Sequence, residues 1–176
     1  MIFTETAVSG VWLVLPEPSE DFRGSFTRTW CEREFAAAGL TDRWVQSSTS
    51  YTRQKGTLRG LHFQRPPHEE VKLVRCTAGA IFDVVVDLRP ESPSFKKHVA
   101  VELSAAGRQS IYIPKGCAHG YQTLVDGVEV LYYMSEFYAA GAAAGVRWDD
   151  PAFGISWPDP SPILSERDRA YPDFVA

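Results

Sequence analysis

Residues 80–89 read AIFDVVVDLR. Side chains alternate between the two faces of a strand, so Asp83, Val85 and Asp87 share one side while Phe82, Val84, Val86 and Leu88 share the other. A strand with carboxylates on one side and an apolar stripe on the other belongs in a wall between a core and a cavity. Short runs of β-branched and aromatic residues flank it: KLVRCT (72–77), HVAVELS (98–104), QSIYIP (109–114) and VEVLYYMSEFY (128–138). Gly, Pro and Asp separate these runs, and the turn signals recur at roughly the 8–12-residue interval of an all-β sandwich or barrel. The β pattern extends from about Val45 to Tyr138.

Outside that region the signals differ. Cys31 to Gly39 (CEREFAAAG) offers helix formers, early acidic residues and a glycine stop, which predicts a short helix of about two turns. Residues 148–174 are rich in Pro and carry five aromatics. This tail is expected to hold little regular structure and to pack onto the barrel. GAAAG (141–145) reads as a loop. At 176 residues the chain suits one domain spanning 1–176. A formal charge of −4 calls for neither nucleic acid nor an anionic membrane as partner, so an anionic ligand needs a local cluster. Three cysteines without a CxxC pair argue against a disulfide framework or structural zinc. The first 16 residues lack a basic segment and a long apolar run, and no stretch is long enough to span a membrane. A soluble, cytoplasmic protein is the expectation.

Three constellations bear chemistry. The first is a metal site: Gly56 followed by His62, and PKGCAH (114–119), match halves of the two cupin motifs. Gln64 stands where the first motif has its second histidine, leaving two histidines, His62 and His119, with Glu69 as the one further candidate, where a site usually takes three firm ligands. No metal is therefore expected. The second is acid–base chemistry at a carbon beside a carbonyl, which needs a base, a cation on the developing enolate and an acid on the opposite face. His62 suits the base, Lys72 the enolate, and Tyr132 or Tyr138 the acid. The third is a diphosphate site built from Arg23, Arg59 and Arg167, because guanidinium forks match phosphate oxygens. Each residue also has an ordinary structural explanation: a strand histidine, a solvated lysine, core tyrosines. Ser165-Glu-Arg-Asp168 is in addition a capping box, so the carboxylate has a helix end to satisfy.

Taken together, DFRGSF (21–26), GTLRGLHFQ (56–64), KLVR (72–75), DVVVDLRPESPSF (83–95), IPKGCAHGYQTL (113–124), LYYMSEFY (131–138), WDDPAFGISWP (148–158) and LSERD (164–168) resemble the nucleotide-sugar 3,5-epimerases typified by dTDP-4-dehydrorhamnose 3,5-epimerase. The resemblance runs in order over nearly the whole chain. It implies an all-β, cupin-type jelly-roll barrel with a few short peripheral helices, a homodimer formed through an exchanged or shared sheet, and no metal or organic cofactor. It implies a nucleoside-diphosphate 4-keto-6-deoxyhexose as substrate, inverted at C3 and C5 through an enolate. By motif, His62 is the base, Asp168 its partner, Lys72 the enolate cation and Tyr132 the acid. Arg23, Phe26, Arg28, Gln46, Ser48, Arg59, His119, Tyr138 and Arg167 fall where the family holds the substrate.

Three positions depart from the family pattern. Arg28 stands where thymidine-using members carry a glutamate, Ser48 replaces the asparagine of a QxNxS pattern (here QSSTS, 46–50), and Ala143 falls where a glutamate is usual. A glutamate accepts from the N3–H of thymine, whereas arginine only donates. The dTDP-sugar remains the first expectation, with a CDP- or GDP-sugar as the alternative. A single-centre epimerase, and from another class a metal-binding or non-catalytic cupin, are the alternatives.

Overall fold

The computed structural model describes residues 1–40 and 43–175. The N-terminal part holds β1 (Ile2–Glu5), β2 (Trp12–Leu15), the hairpin β3 (Ser19–Asp21) and β4 (Gly24–Phe26), and helix α1 (Glu32–Ala37). The middle holds β5 (Gln46–Thr52), β6 (Leu58–Gln64), β7 (Lys72–Ala78), β8 (Ala80–Asp87) and β9 (His98–Ser104). Strands β10 (Ser110–Ile113), β11 (Cys117–Thr123), β12 (Val128–Met134) and β13 (Ala143–Gly145) follow, then helix α2 (Glu166–Arg169). Among the described residues no helix is long and apolar enough to cross a membrane.

Two antiparallel sheets form a cupin-type jelly roll. One runs β1-β2-β10-β7-β12-β5 and the other β13-β6-β11-β8-β9. Their facing sides bury Val74, Cys76 and Val130 from the first sheet against Ile81, Val85, Leu103 and Tyr121 from the second. The predicted helix forms as α1, stops before Gly39 at φ 71°, and covers the outer face of the six-stranded sheet with Phe35.

The outer face of the five-stranded sheet is covered by the aromatic tail. Phe153, Trp157 and Val146 bury Val84, Val86, Leu58 and Ala118. Burying one Phe side chain is worth ~1.5–3 kcal/mol, so the tail is held firmly although, among the described residues, the short helix α2 is its one named element. This changes the reading of AIFDVVVDLR. Both faces of β8 are buried: its apolar stripe lies under the tail, and the side bearing Asp83, Val85 and Asp87 looks into the jelly roll. GAAAG, expected as a loop, contains β13, which pairs with β6 through Ala143↔Gln64 and Gly145↔His62. Small side chains let this edge strand sit under the tail.

One irregularity positions the site. Strand β6 pairs with β11 through His62↔His119 and Arg59↔Tyr121, so it carries one extra residue between these pairs. Strict alternation would put Arg59 and His62 on opposite faces; the bulge turns both to the same side. Gly60 makes it feasible. Its φ is 148°, and a Cβ there would lie 2.5 Å from the Cα of Gly120.

Candidate active site

Inside the jelly roll, one end is apolar and the other is lined by polar side chains around a cavity of about 540 Å³. Strand β6 contributes Arg59 and His62, β7 Lys72, β11 His119, β12 Tyr132, and β5 Ser48 and Ser50. The tail closes it with Leu164, Ser165, Arg167 and Asp168. Thus eight residues singled out as catalytic or substrate-binding, from five strands and the tail, converge on this one cavity: Ser48, Arg59, His62, Lys72, His119, Tyr132, Arg167 and Asp168.

His62 Nε2 lies 2.6 Å from Asp168 Oδ1, with the imidazole 39% exposed and the carboxylate 6%. Bonding Nε2 to a carboxylate leaves Nδ1 with the free lone pair. Burial works against the charge of Asp168, yet the hydrogen bond and charge of His62, helped by Ser165 and the Gly60 amide, hold its pKa below the ordinary carboxylate range. The serine half of the capping box forms as well: Ser165 Oγ accepts from the Asp168 amide at 3.1 Å. Backbone and side chain of Asp168 therefore serve the cap and the dyad separately.

Lys72 Nζ lies 3.4 Å from the His62 carbonyl oxygen and 3.2 Å from Glu70 Oε1. Burial pushes the Tyr132 phenol well above its ordinary range, with Tyr121 and Asp83 adding to the rise and Arg59 opposing it. It is a neutral phenol at physiological pH and able to give up a proton to a strong base. His119 packs edge-on to Tyr132, ring centroids 5.9 Å apart, and pairs through Nε2 with Asp83 Oδ2 at 2.8 Å. Below Tyr132, the Tyr121 hydroxyl lies 3.1 Å from Ser50 Oγ and 3.3 Å from Thr52 Oγ1, and Thr52 accepts from Arg59 Nε at 3.0 Å.

Five of the residues singled out lie elsewhere in the chain. Arg23 and Phe26 sit on the exposed β3–β4 hairpin, where Arg23 pairs with Asp21 at 2.6 Å. Arg28 pairs with Glu34 at 3.1 Å. Gln46 accepts from the Tyr138 amide at 2.5 Å, and the Tyr138 ring is exposed, its hydroxyl reaching Arg167. Gln64 is buried and clamps the same segment: it donates to the His68 and Phe137 carbonyls and accepts from the Ala139 amide. Glu69 lines a different hollow beside Arg89 and Gly116. Among the described residues no three His, Cys, Asp or Glu side chains gather as metal ligands.

Residues 5–176 match the family model described as dTDP-4-dehydrorhamnose 3,5-epimerase. The chain belongs to that family. It is similar to the dTDP-4-dehydrorhamnose 3,5-epimerase of Sinorhizobium fredii, 41% identical over 99% of this chain and 90% of that one. The crystal structure of the Bacillus anthracis dTDP-4-dehydrorhamnose 3,5-epimerase, with TDP and pyrophosphate bound, superposes with a TM-score of 0.95 at 41% identity, covering 98% and 99% of the two chains. That of the Legionella pneumophila dTDP-6-deoxy-D-glucose-3,5-epimerase, in complex with dTDP-4-keto-L-rhamnose, does so at 0.90 and 32% identity, covering 99% of each. Membership makes the chain an isomerase of the epimerase kind. Asp83, Glu70 and Tyr121 stand behind the cavity wall as partners of His119, Lys72 and Ser50, and reading the sequence did not assign them to the site. The HEEVK stretch held the signal for Glu70, since a carboxylate two residues before Lys72 on an approaching strand projects to the same side.

Proposed function

We propose that this chain inverts C3 and C5 of a dTDP-4-keto-6-deoxyhexose, of the dTDP-4-dehydro-6-deoxy-D-glucose to dTDP-4-dehydro-L-rhamnose type. The observation that carries the reading is the His62–Asp168 dyad in one cavity with Lys72 and Tyr132. The C4 ketone acidifies both neighbouring carbons. His62 Nδ1 removes the proton, Asp168 stabilises the imidazolium that forms, and Lys72 meets the enolate oxygen. Tyr132, kept neutral by burial, returns a proton from the other face. Arg59 and Arg167 hold the diphosphate, whose binding energy orients the ring against His62.

The exposed hairpin fits a homodimer. Arg23, Phe26 and Arg28 are remote from the cavity of their own chain, and Phe22 and Phe26 are 97% and 79% exposed. We assign these side chains to the nucleotide end of the site in a second copy. A cytoplasmic location, where nucleotide sugars are made, is part of the same reading.

The test is solvent-deuterium incorporation at C3 and C5 of dTDP-, CDP- and GDP-4-keto-6-deoxyglucose, with product stereochemistry read by NMR. Exchange at both carbons of the dTDP-sugar, lost in His62→Ala, is expected. No exchange with any of the three sugars overturns the reading, and exchange at one carbon alone reduces it to a single-centre epimerase.

A further inference from the structure

One aromatic of the tail is unused by the reaction described. Tyr171 is absent from the cavity lining, yet its ring meets His62 edge-on with centroids 5.9 Å apart. Its hydroxyl accepts a 2.8 Å hydrogen bond from Arg167 Nε, whose guanidinium carbon lies 5.8 Å from the ring centroid. The ring lies over Gly145, where a Cβ would fall 2.4 Å from Tyr171 Cε2 and Cζ. Gly145 is the register partner of His62. Glycine at the end of GAAAG thus opens the slot that seats an aromatic ring beside the imidazole. Burial raises the Tyr171 phenol despite Arg167, so it stays neutral and serves as an acceptor for the cation.

We propose that Tyr171 is a positioning residue with two separate handles: its ring holds the His62 imidazole against Asp168, and its hydroxyl holds Arg167 over the cavity. The proposal rests on the reading of His62 as base and Arg167 as diphosphate ligand. A side chain that only filled space would carry one effect, on stability. Two handles on two working groups separate in kinetics, because His62 acts in the chemical step and Arg167 in binding. Tyr171→Phe keeps the ring and frees Arg167, which retains the Tyr138 hydroxyl. Its KM rises ~5–10-fold, the order of one ordinary hydrogen bond, with most of kcat retained. Tyr171→Ala also empties the slot over Gly145 and lets the imidazole turn away from Asp168. A misplacement near 1 Å costs up to ~10²-fold, so kcat falls ~10–100-fold.

The experiment measures kcat and KM for wild type, Tyr171→Phe, Tyr171→Ala, Arg167→Gln and Arg167→Gln/Tyr171→Phe. It adds the carbon-bound ring-proton resonances of His62, assigned by their loss in His62→Ala. Expected are a KM effect of Tyr171→Phe that vanishes in the Arg167→Gln background, and His62 resonances that move in Tyr171→Ala and stay in Tyr171→Phe. A wild-type KM in Tyr171→Phe, or unmoved His62 resonances with wild-type kcat in Tyr171→Ala, overturns the proposal. Should Tyr171→Ala fail to fold, the Tyr171→Phe cycle with Arg167→Gln decides. An active His62→Ala overturns the assignment of the base and leaves the resonance shift to report on the ring contact by itself.

Discussion

Replacing Asp168 by Asn isolates the charge of the dyad. The substitution keeps the backbone amide that Ser165 caps at 3.1 Å, and it preserves the volume of a side chain only 6% exposed. What it removes is a negative charge on an oxygen 2.6 Å from His62 Nε2. Once His62 has taken the substrate proton, imidazolium and carboxylate have charge centres about 4 Å apart, an attraction of ~4 kcal/mol at an effective dielectric constant of about 20. The imidazole is 39% exposed, so water screens part of this. A loss of ~3 kcal/mol, about 10²-fold in kcat, is expected. An amide NH₂ turned toward Nε2 would move the ring proton to Nδ1 and abolish the base, so 10² is a lower bound. The loss falls on kcat rather than KM, because the charge matters only after the proton has moved.

Steady-state kinetics and the rate of deuterium incorporation at C3 and C5 measure it. A kcat within about threefold of wild type, or a loss confined to KM, would refute the reasoning and leave Asp168 as a cap alone. Stability supplies an independent check. Because the folded protein holds the Asp168 pKa below its unfolded value, the carboxylate stabilises the fold above the ordinary carboxylate range. That contribution disappears as pH falls through the folded value. Asp168→Asn should melt below wild type at neutral pH, with the gap closing in acid.

Tyr132→Phe removes the acid but leaves the base, so net inversion should fall ~10²–10⁴-fold while His62-dependent deuterium exchange persists. NMR of exchange against inversion checks this, and the same pattern in Tyr138→Phe instead would transfer the role to Tyr138. Asp87 is fully buried, and despite that burial its hydrogen bonds from Arg89, Ser92 and Ser94 lower its pKa to about 2. Asp87→Asn should destabilise the fold by ~2 kcal/mol at neutral pH, an effect lost in melts as pH falls from about 4 to about 2. Gly60→Ala would place a Cβ 2.5 Å from Gly120 Cα at a φ of 148°. A loss of ~3–5 kcal/mol should appear in thermal denaturation, and wild-type stability would show that β6 and β11 are free to part.

Strand positions and the family motifs were legible because they are local. Alternation in KLVRCT and AIFDVVVDLR set the strands β7 and β8, and LSERD contained the dyad carboxylate. The faces were harder. Alternation says which residues of β8 lie together, but not that an aromatic tail about 70 residues later would bury Val84 and Val86 from outside. Strict alternation even misleads on β6, where it separates Arg59 from His62 and only the Gly60 bulge reunites them. Pairings between distant strands carried no local mark. Asp83 meets His119 across 36 residues, and GAAAG became a strand because the tail and β6 needed small side chains between them. The same holds for Tyr171, 109 residues beyond His62 in the chain and edge-on to it in space. Its seat is a missing Cβ at Gly145, so a glycine that read as loop material is part of what aims the base.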